Sequence, residues 1–294
     1  MGQHLARELK SRNCNVYVAG REPLLTTSLR GIIDGYFMCD LTNKSDVAKL
    51  PLAKVNSIIS LAGLARVGDS FTDSDLYKRI NVEVLVVLCN RLLSSKLNPR
   101  VIAISTGAVY DPAQNMPLTE TSKLIDNGSP YAQSKILMEH AAQKFIKCGL
   151  PCVVVRPFNH IGPGQERGFL VPDLYAKLQE QAKTGEPIRV GDLSTRRDYT
   201  DVRDVVRAYA DLAMTTKLKN TDYNVCSGVT RSGNEILSEL SKFVPNASKV
   251  MLIDQSLIRA SDPTELVGSY DLIKEDVGWS PKIPLQKTIK DFVG

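Results

Sequence analysis

Val101-Ile102-Ala103-Ile104-Ser105-Thr106-Gly107-Ala108-Val109-Tyr110, followed some two dozen residues on by Tyr131-Ala132-Gln133-Ser134-Lys135, decides how this chain is organised. The first four residues are apolar without alternation, the pattern of a strand covered on both faces. The run then breaks into Ser, Thr and Gly, which puts polar side chains at the strand's carboxyl end. Outward from it lie further short apolar runs: Val16-Tyr17-Val18-Ala19, Tyr36-Phe37-Met38-Cys39, Val55 to Leu61 and Cys152-Val153-Val154-Val155. Helical patterns fall around 70–97 and 131–147, and Gln3 to Arg12 reads as a helix with Leu5 and Leu9 at i,i+4 spacing. Strands alternating with helices predict an α/β fold with a mainly parallel, doubly wound sheet. After Arg156 the pattern changes. A Gly162-Pro163-Gly164 loop leads to a helix near 169–184, then to short mixed elements, a Gly278-Trp279-Ser280-Pro281 turn and a last amphipathic helix from Leu285 to Phe292.

The chain has 294 residues, 43% hydrophobic and 23% charged, with 37 basic and 32 acidic side chains interspersed. Those proportions exclude collagen, coiled-coil, disordered and disulfide-stapled miniprotein classes. The net charge of +5 is not gathered into a basic run, so no nucleic-acid partner is expected. Six cysteines (14, 39, 89, 148, 152, 226) show no CxxC and no neighbouring His cluster. They are expected to be small buried hydrophobes in a reducing compartment, not metal ligands. The best apolar run, Val84-Leu85-Val86-Val87-Leu88, is far too short to span a bilayer. Arg7, Glu8 and Lys10 break any signal-peptide pattern, and Ala6 stands where a myristoylation signal has Ser or Thr. A cytoplasmic location without membrane association is expected.

On a helix, Tyr131 and Lys135 lie one turn apart on one face. An ammonium beside a phenol stabilises the phenolate and so favours acid/base work. Thr106, at the end of its strand, can hydrogen-bond the oxygen of a reacting alcohol or carbonyl. YxxxK alone occurs in many helices by chance; the Thr106 segment upstream makes it a constellation. Gly107 and Ala108, next to that threonine, cannot move a proton. His160 is expected to be a hydrogen-bonded structural histidine.

With Leu61-Ala62-Gly63, Asn81, Arg156-Pro157-Phe158-Asn159, Arg197-Asp198-Tyr199, Asp201-Val202-Arg203-Asp204 and the Gly278-Pro281 turn, these residues resemble the extended short-chain dehydrogenase/reductases, the nucleotide-sugar epimerase/dehydratase/reductase group. The segments Arg156–Gln165 and Tyr223–Gly228 look most like GDP-4-keto-6-deoxy-mannose reductases. Ala62 to Ser70 also looks like UDP-hexose 4-epimerases. The resemblance implies a Rossmann-type dinucleotide domain over 1–156 and a smaller nucleotide-sugar-binding lobe over 157–294, some of whose segments return to the first. It implies Tyr131 as acid/base and Lys135 as the group that lowers its pKa and holds the nicotinamide ribose. Thr106 would bind the sugar C4 oxygen, Asn159 would sit near the phosphates, and Arg197 with Arg259 would grip the diphosphate, a task suited to guanidinium forks. Pro157 would border the nicotinamide. In the family's 4,6-dehydratases an acid follows the catalytic Thr, so Gly107 and Ala108 argue against dehydration. The expected activity is reduction at C4 of a nucleoside-diphosphate 4-keto-6-deoxyhexose, with 4-epimerisation as the alternative. A homodimer through the two long helices is implied as well.

For the cofactor, the end of the second strand has Gly20-Arg21 in place of the carboxylate that selects NAD, so NADP(H) is favoured over NAD(H). Asp40-Leu41 matches the pair that contacts adenine in the family. Leu61, Ala62 and Gly63 would underlie the pyrophosphate and nicotinamide riboside, and Gly2 would be the last glycine of the phosphate loop. The rest of that loop, and the strand before it, are not in the sequence. Strands two and four would then face a gap of roughly 9–10 Å. The expectation is that a strand-and-glycine segment precedes Met1 in the full protein; without it, dinucleotide binding would be weak and the chain a catalytically impaired nucleotide-sugar binder.

Overall fold

The computed structural model describes residues 1–23, 29–247, 250–258 and 263–294. Its first part runs α1 (Gly2–Ser11), β1 (Tyr17–Gly20), β2 (Gly35–Met38), a single turn α2 (Lys44–Val47), β3 (Ser57–Ser60), a second short turn α3 (Val67–Ser70), α4 (Ser74–Ser94), β4 (Arg100–Ile104), α5 (Pro130–Lys147) and β5 (Cys152–Pro157). Local chemistry fixes the long helices. Asp73 caps α4 by accepting from the Leu76 amide. Ser129 caps α5 by accepting from the Ala132 amide, and Pro130 occupies its first turn, where a missing N–H costs nothing.

The second part continues with β6 (Asn159–Ile161), α6 (Leu170–Thr184), β7 (Ile188–Val190), β8 (Arg196–Asp201), α7 (Val202–Met214), β9 (Asp222–Val225), β10 (Thr230–Ser232), α8 (Gly233–Ser241), β11 (Met251–Ile253), β12 (Glu265–Leu266), α9 (Asp271–Val277) and α10 (Leu285–Val293). Strand β9 leaves this part and pairs in parallel with β5, closing a four-stranded parallel sheet β3-β4-β5-β9. Helix α7 packs on one face of the same sheet.

The doubly wound arrangement follows from the period of two along buried strands. Val101, Ala103, Cys152 and Val154 face one side, where Leu85, Leu88 and Leu92 of α4 pack with Met138, Ala142 and Phe145 of α5. Ile102, Val153 and Val155 face the other, against Leu5 of α1 and Val205, Val206, Tyr209 and Leu212 of α7. A separate core joins α6, α8 and α10 around Leu178, Ile236, Leu240 and Ile289. Among the described residues, no helix is long and apolar enough to cross a membrane.

Strands β1 and β2 pair in parallel as a sheet of their own, and β1 does not pair with β3. Between the two sheets runs a slot walled by Leu5, Val16, Val18, Ile58 and Ile59. Its edges are half-exposed where β4 and β5 are sealed. The buried Tyr209 hydroxyl at its wall has no hydrogen-bond partner. Two expectations need correction here. Val55 to Leu61 yields only the strand Ser57–Ser60, the residues in register with Arg100–Ala103 of β4. Of the cysteines, Cys148 is exposed and Cys14 half-exposed, since the first caps α5 at the surface.

Two motifs prove to be partners. Buried Asp204 accepts from the amides of Lys282 (2.7 Å) and Ile283 (2.8 Å) and from Arg207, while its own carbonyl accepts from the Trp279 indole at 3.0 Å. The carboxylate thus fastens the C-terminal turn to α7. Asp204→Ala strips two amides of their acceptor and leaves the half-buried Arg207 guanidinium only the Ser280 carbonyl, and is expected to cost about 2–4 kcal/mol. A denaturant midpoint close to wild type would contradict this.

Candidate active site

One continuous cleft of about 2050 Å³ runs from the start of α1, along the slot and over the carboxyl ends of β3, β4 and β5, to the β6–β8 lobe. Ligands of open α/β sheets bind at that end of the strands. Of the residues singled out from sequence, Gly2, Leu41, Leu61, Ala62, Gly63, Thr106, Tyr131, Lys135, Pro157, Asn159 and Arg197 line it.

Tyr131 and Thr106 come together on the cleft floor. Burial pushes the phenol's pKa up, and a hydrogen bond to Thr106 pulls back against that rise. The Tyr77 ring meets Tyr131 edge-on, 6.5 Å between centroids, and its hydroxyl is tied to the Arg66 carbonyl at 2.6 Å. Lys135 lies one turn along the same face, its Nζ donating to the Ile104 carbonyl at 2.8 Å. Burial lowers the ammonium's pKa to about 8, opposed by the Glu139 carboxylate. The expected lowering of the phenol is thus corrected: desolvation outweighs the pull of Thr106.

Gly63 shows how tightly the chain turns beside this lysine. Its φ is +157°, and a Cβ there would lie 2.7 Å from Asn81 Oδ1 and 3.7 Å from Lys135 Nζ. Asn81 holds the turn by accepting from the Leu64 amide (2.7 Å) and donating to the Leu64 carbonyl (3.1 Å) and to Ser134 Oγ (2.8 Å). A glycine that leaves backbone bare against a lysine suits close approach of a dinucleotide's riboside and pyrophosphate. The cradle at Gly63 and the first-turn amides of α1 at Gly2 fit such a group.

Arg21 and Asp40 are not in the cleft wall. Arg21 is exposed just beyond β1, and its charge reaches the Asp40 carboxylate, which accepts from the Thr42 amide (2.9 Å) and hydroxyl (2.7 Å) and is held below the usual range mainly by these bonds. Arg197 lies on β8 with one guanidinium nitrogen donating to the Arg196 carbonyl at 2.8 Å. Asp198 beside it is structural. It accepts from the Ser227 amide and hydroxyl and the Gly228 amide, binding β8 to the Tyr223–Gly228 segment. Arg259 lies outside the described residues. His160 hydrogen-bonds the Phe158 carbonyl at 3.3 Å, and burial lowers its pKa to about 4, in keeping with a neutral structural ring. His4 also lines the cleft, bonded to the Pro163 carbonyl at 2.8 Å; nothing local in its helix pattern points to this partner 159 positions away.

The model of the NAD dependent epimerase/dehydratase family matches residues 1–226. A GDP-6-deoxy-D-mannose reductase of Pseudomonas aeruginosa is 29% identical over 239 residues, covering 80% of this chain and 78% of that protein. A UDP-glucose 4-epimerase of Cyamopsis tetragonoloba is 26% identical over 291 residues, covering 92% of this chain and 79% of its own length. Among solved structures, RMD from Pseudomonas aeruginosa complexed with NADPH superposes with a TM-score of 0.77 at 28% identity, covering 87% of this chain and 86% of that one. With its parallel sheet, the floor of Thr106, Tyr131 and Lys135 and this match over most of its length, the chain belongs to the NAD dependent epimerase/dehydratase family.

Proposed function

We propose that this protein reduces the C4 carbonyl of a nucleoside-diphosphate 4-keto-6-deoxyhexose, GDP-linked by preference, with NADPH. The observation that carries this reading is the Thr106–Tyr131 pair on the cleft floor with Lys135 behind it and no acid at Gly107 or Ala108. When bound, the dinucleotide supplies the hydride. Tyr131, kept protonated by burial, donates a proton to the C4 oxygen, which Thr106 orients. Lys135 holds the ribose and offsets the negative charge that develops on the phenol oxygen. Asn159 and Arg197, on β6 and β8, meet the sugar-side phosphates. The P. aeruginosa reductase supports this assignment; the UDP-glucose 4-epimerase relative supports 4-epimerisation as a second reading.

Incubation with GDP-4-keto-6-deoxy-mannose and NADPH tests it. Reduction consumes one NADPH per sugar, whereas epimerisation of a UDP-hexose proceeds without net loss of cofactor. No stoichiometric NADPH loss would overturn the reductase reading.

Cofactor choice falls to Arg21, which lies outside the wall itself but follows Gly20 at the cleft's edge. A guanidinium beyond β1 accommodates a ribose 2′-phosphate, while a carboxylate there repels it and accepts the 2′-hydroxyl. Arg21→Asp is therefore expected to weaken NADPH at least about tenfold more than NADH, roughly 1.4 kcal/mol. Titration of both cofactors that finds equal losses would remove Arg21 from the ribose.

A further inference from the structure

Beneath the cleft floor lies a polar cluster to which the mechanism assigns no step. Ser105, Glu139 and Arg156 are 2%, 3% and 5% exposed. Glu139 Oε1 accepts from Ser105 Oγ at 2.5 Å and from Arg156 Nε at 2.9 Å, and its Oε2 accepts from Arg156 Nη2 at 2.7 Å. The other arm of the guanidinium donates to the Tyr110 hydroxyl at 2.9 Å, which donates in turn to Asn224 Oδ1 at 2.7 Å. Both carboxylate oxygens are thus occupied, so the cluster has one preferred geometry.

The positions of its members are what matter. Ser105 immediately precedes Thr106 at the end of β4. Glu139 is one turn beyond Lys135 and two beyond Tyr131 on α5. Arg156 immediately precedes Pro157, and Asn159 follows on β6. Each member is therefore one residue or one turn from a residue of the proposed site, on a different element.

We propose that Glu139 is a positioning residue: through Ser105 and Arg156 it locks the strand ends bearing Thr106 and Pro157 in register with the helix face bearing Tyr131 and Lys135. The inference rests on the reading of that floor as the site of C4 chemistry. A packing role alone would need only charge neutrality; the Ser105 bond adds a directional tie between β4 and α5, next to the hydroxyl that must meet Tyr131. The Glu139 charge also opposes the effect of burial on the Lys135 ammonium.

Ser105→Ala removes the tie and leaves the ion pair whole, so it is the variant expected to fold. Its kcat should fall about 10- to 100-fold, the scale of a small misplacement of reacting groups, with KM within about twofold. Glu139→Gln leaves Arg156 only the Asp222 carboxylate at 3.6 Å as an ionic partner and is expected to lose stability as well as turnover. The double variant E139Q/R156M removes both charges together. If Glu139 only neutralises Arg156, the double variant regains turnover along with stability; if it positions the floor, stability returns and kcat stays low. Crystal structures of wild type and Ser105→Ala give a measure independent of substrate, with the Thr106 and Tyr131 side chains side by side in the first and drawn apart in the second. An unchanged Thr106–Tyr131 separation, or Ser105→Ala turnover within twofold of wild type, would overturn the proposal. A wild type inactive on every C4 sugar would overturn the functional reading instead, and the two crystal structures would still decide the positioning role.

Discussion

Tyr131→Phe is expected to lower turnover about 10²- to 10⁴-fold while leaving the fold intact, the usual worth of a positioned general acid. The substitution removes one oxygen and little volume. The ring keeps its edge contact with Tyr77, and Thr106 Oγ1 keeps the Ala108 amide as a donor at 3.2 Å. On the proposed reading the hydroxyl is the proton source for the C4 oxygen, and burial favours its protonated form. Steady-state rates together with thermal unfolding make the check. Turnover within twofold of wild type would show that another group carries the proton.

How far the sequence foretold this site depends on how local each signal is. Strands β4 and β5 are covered on both faces, so their uninterrupted apolar runs mark them directly, and YxxxK on a capped helix announces its own geometry. Strands β1 and β2, each paired on one edge, give a blurred signal: Val16 and Cys39 are buried yet fall just outside them. The partnership of Asp204 with the Trp279 turn was legible only as two separate motifs, because a hydrogen bond across 78 positions has no local signature. For the same reason Asn81 was noticed without its task of clamping the Gly63 turn. Arg21 and Asp40 were expected at the cofactor from their place after strands, and the chain brings them near each other outside the cleft wall. Lys135 beside Tyr131 was read from helical spacing. That spacing could not tell that the Ile104 carbonyl takes the ammonium, or that desolvation dominates both groups.

Lys135→Met is expected to lower kcat/KM with NADPH by about 10²- to 10³-fold, the effect of losing one preorganised donor near developing charge. Methionine fills similar space but cannot hold a ribose hydroxyl or offset charge on the phenol oxygen. The groups around Lys135 are Tyr131 and Glu139 one turn to either side on α5, the Ile104 carbonyl at the end of β4, and Asn81 of α4 across the Gly63 turn. Glu139 among them favours the charged form, and burial wins, bringing the pKa to about 8. Wild-type reduction should therefore decline as pH rises through about 8, while Tyr131, pushed upward, remains protonated. The methionine variant should lack that decline. Stability has its own sign. A lysine whose folded-state pKa is lowered refuses a proton that the unfolded chain accepts, so wild type loses stability as pH falls from the ordinary lysine value toward about 8, and the deficit then stays constant. Lys135→Met removes this deficit, so at pH 7 it should unfold no more readily than wild type although it is nearly inactive. A variant that is both inactive and much less stable would mean that Lys135 serves the fold, and a pH profile still declining near 8 would assign that limb to another group.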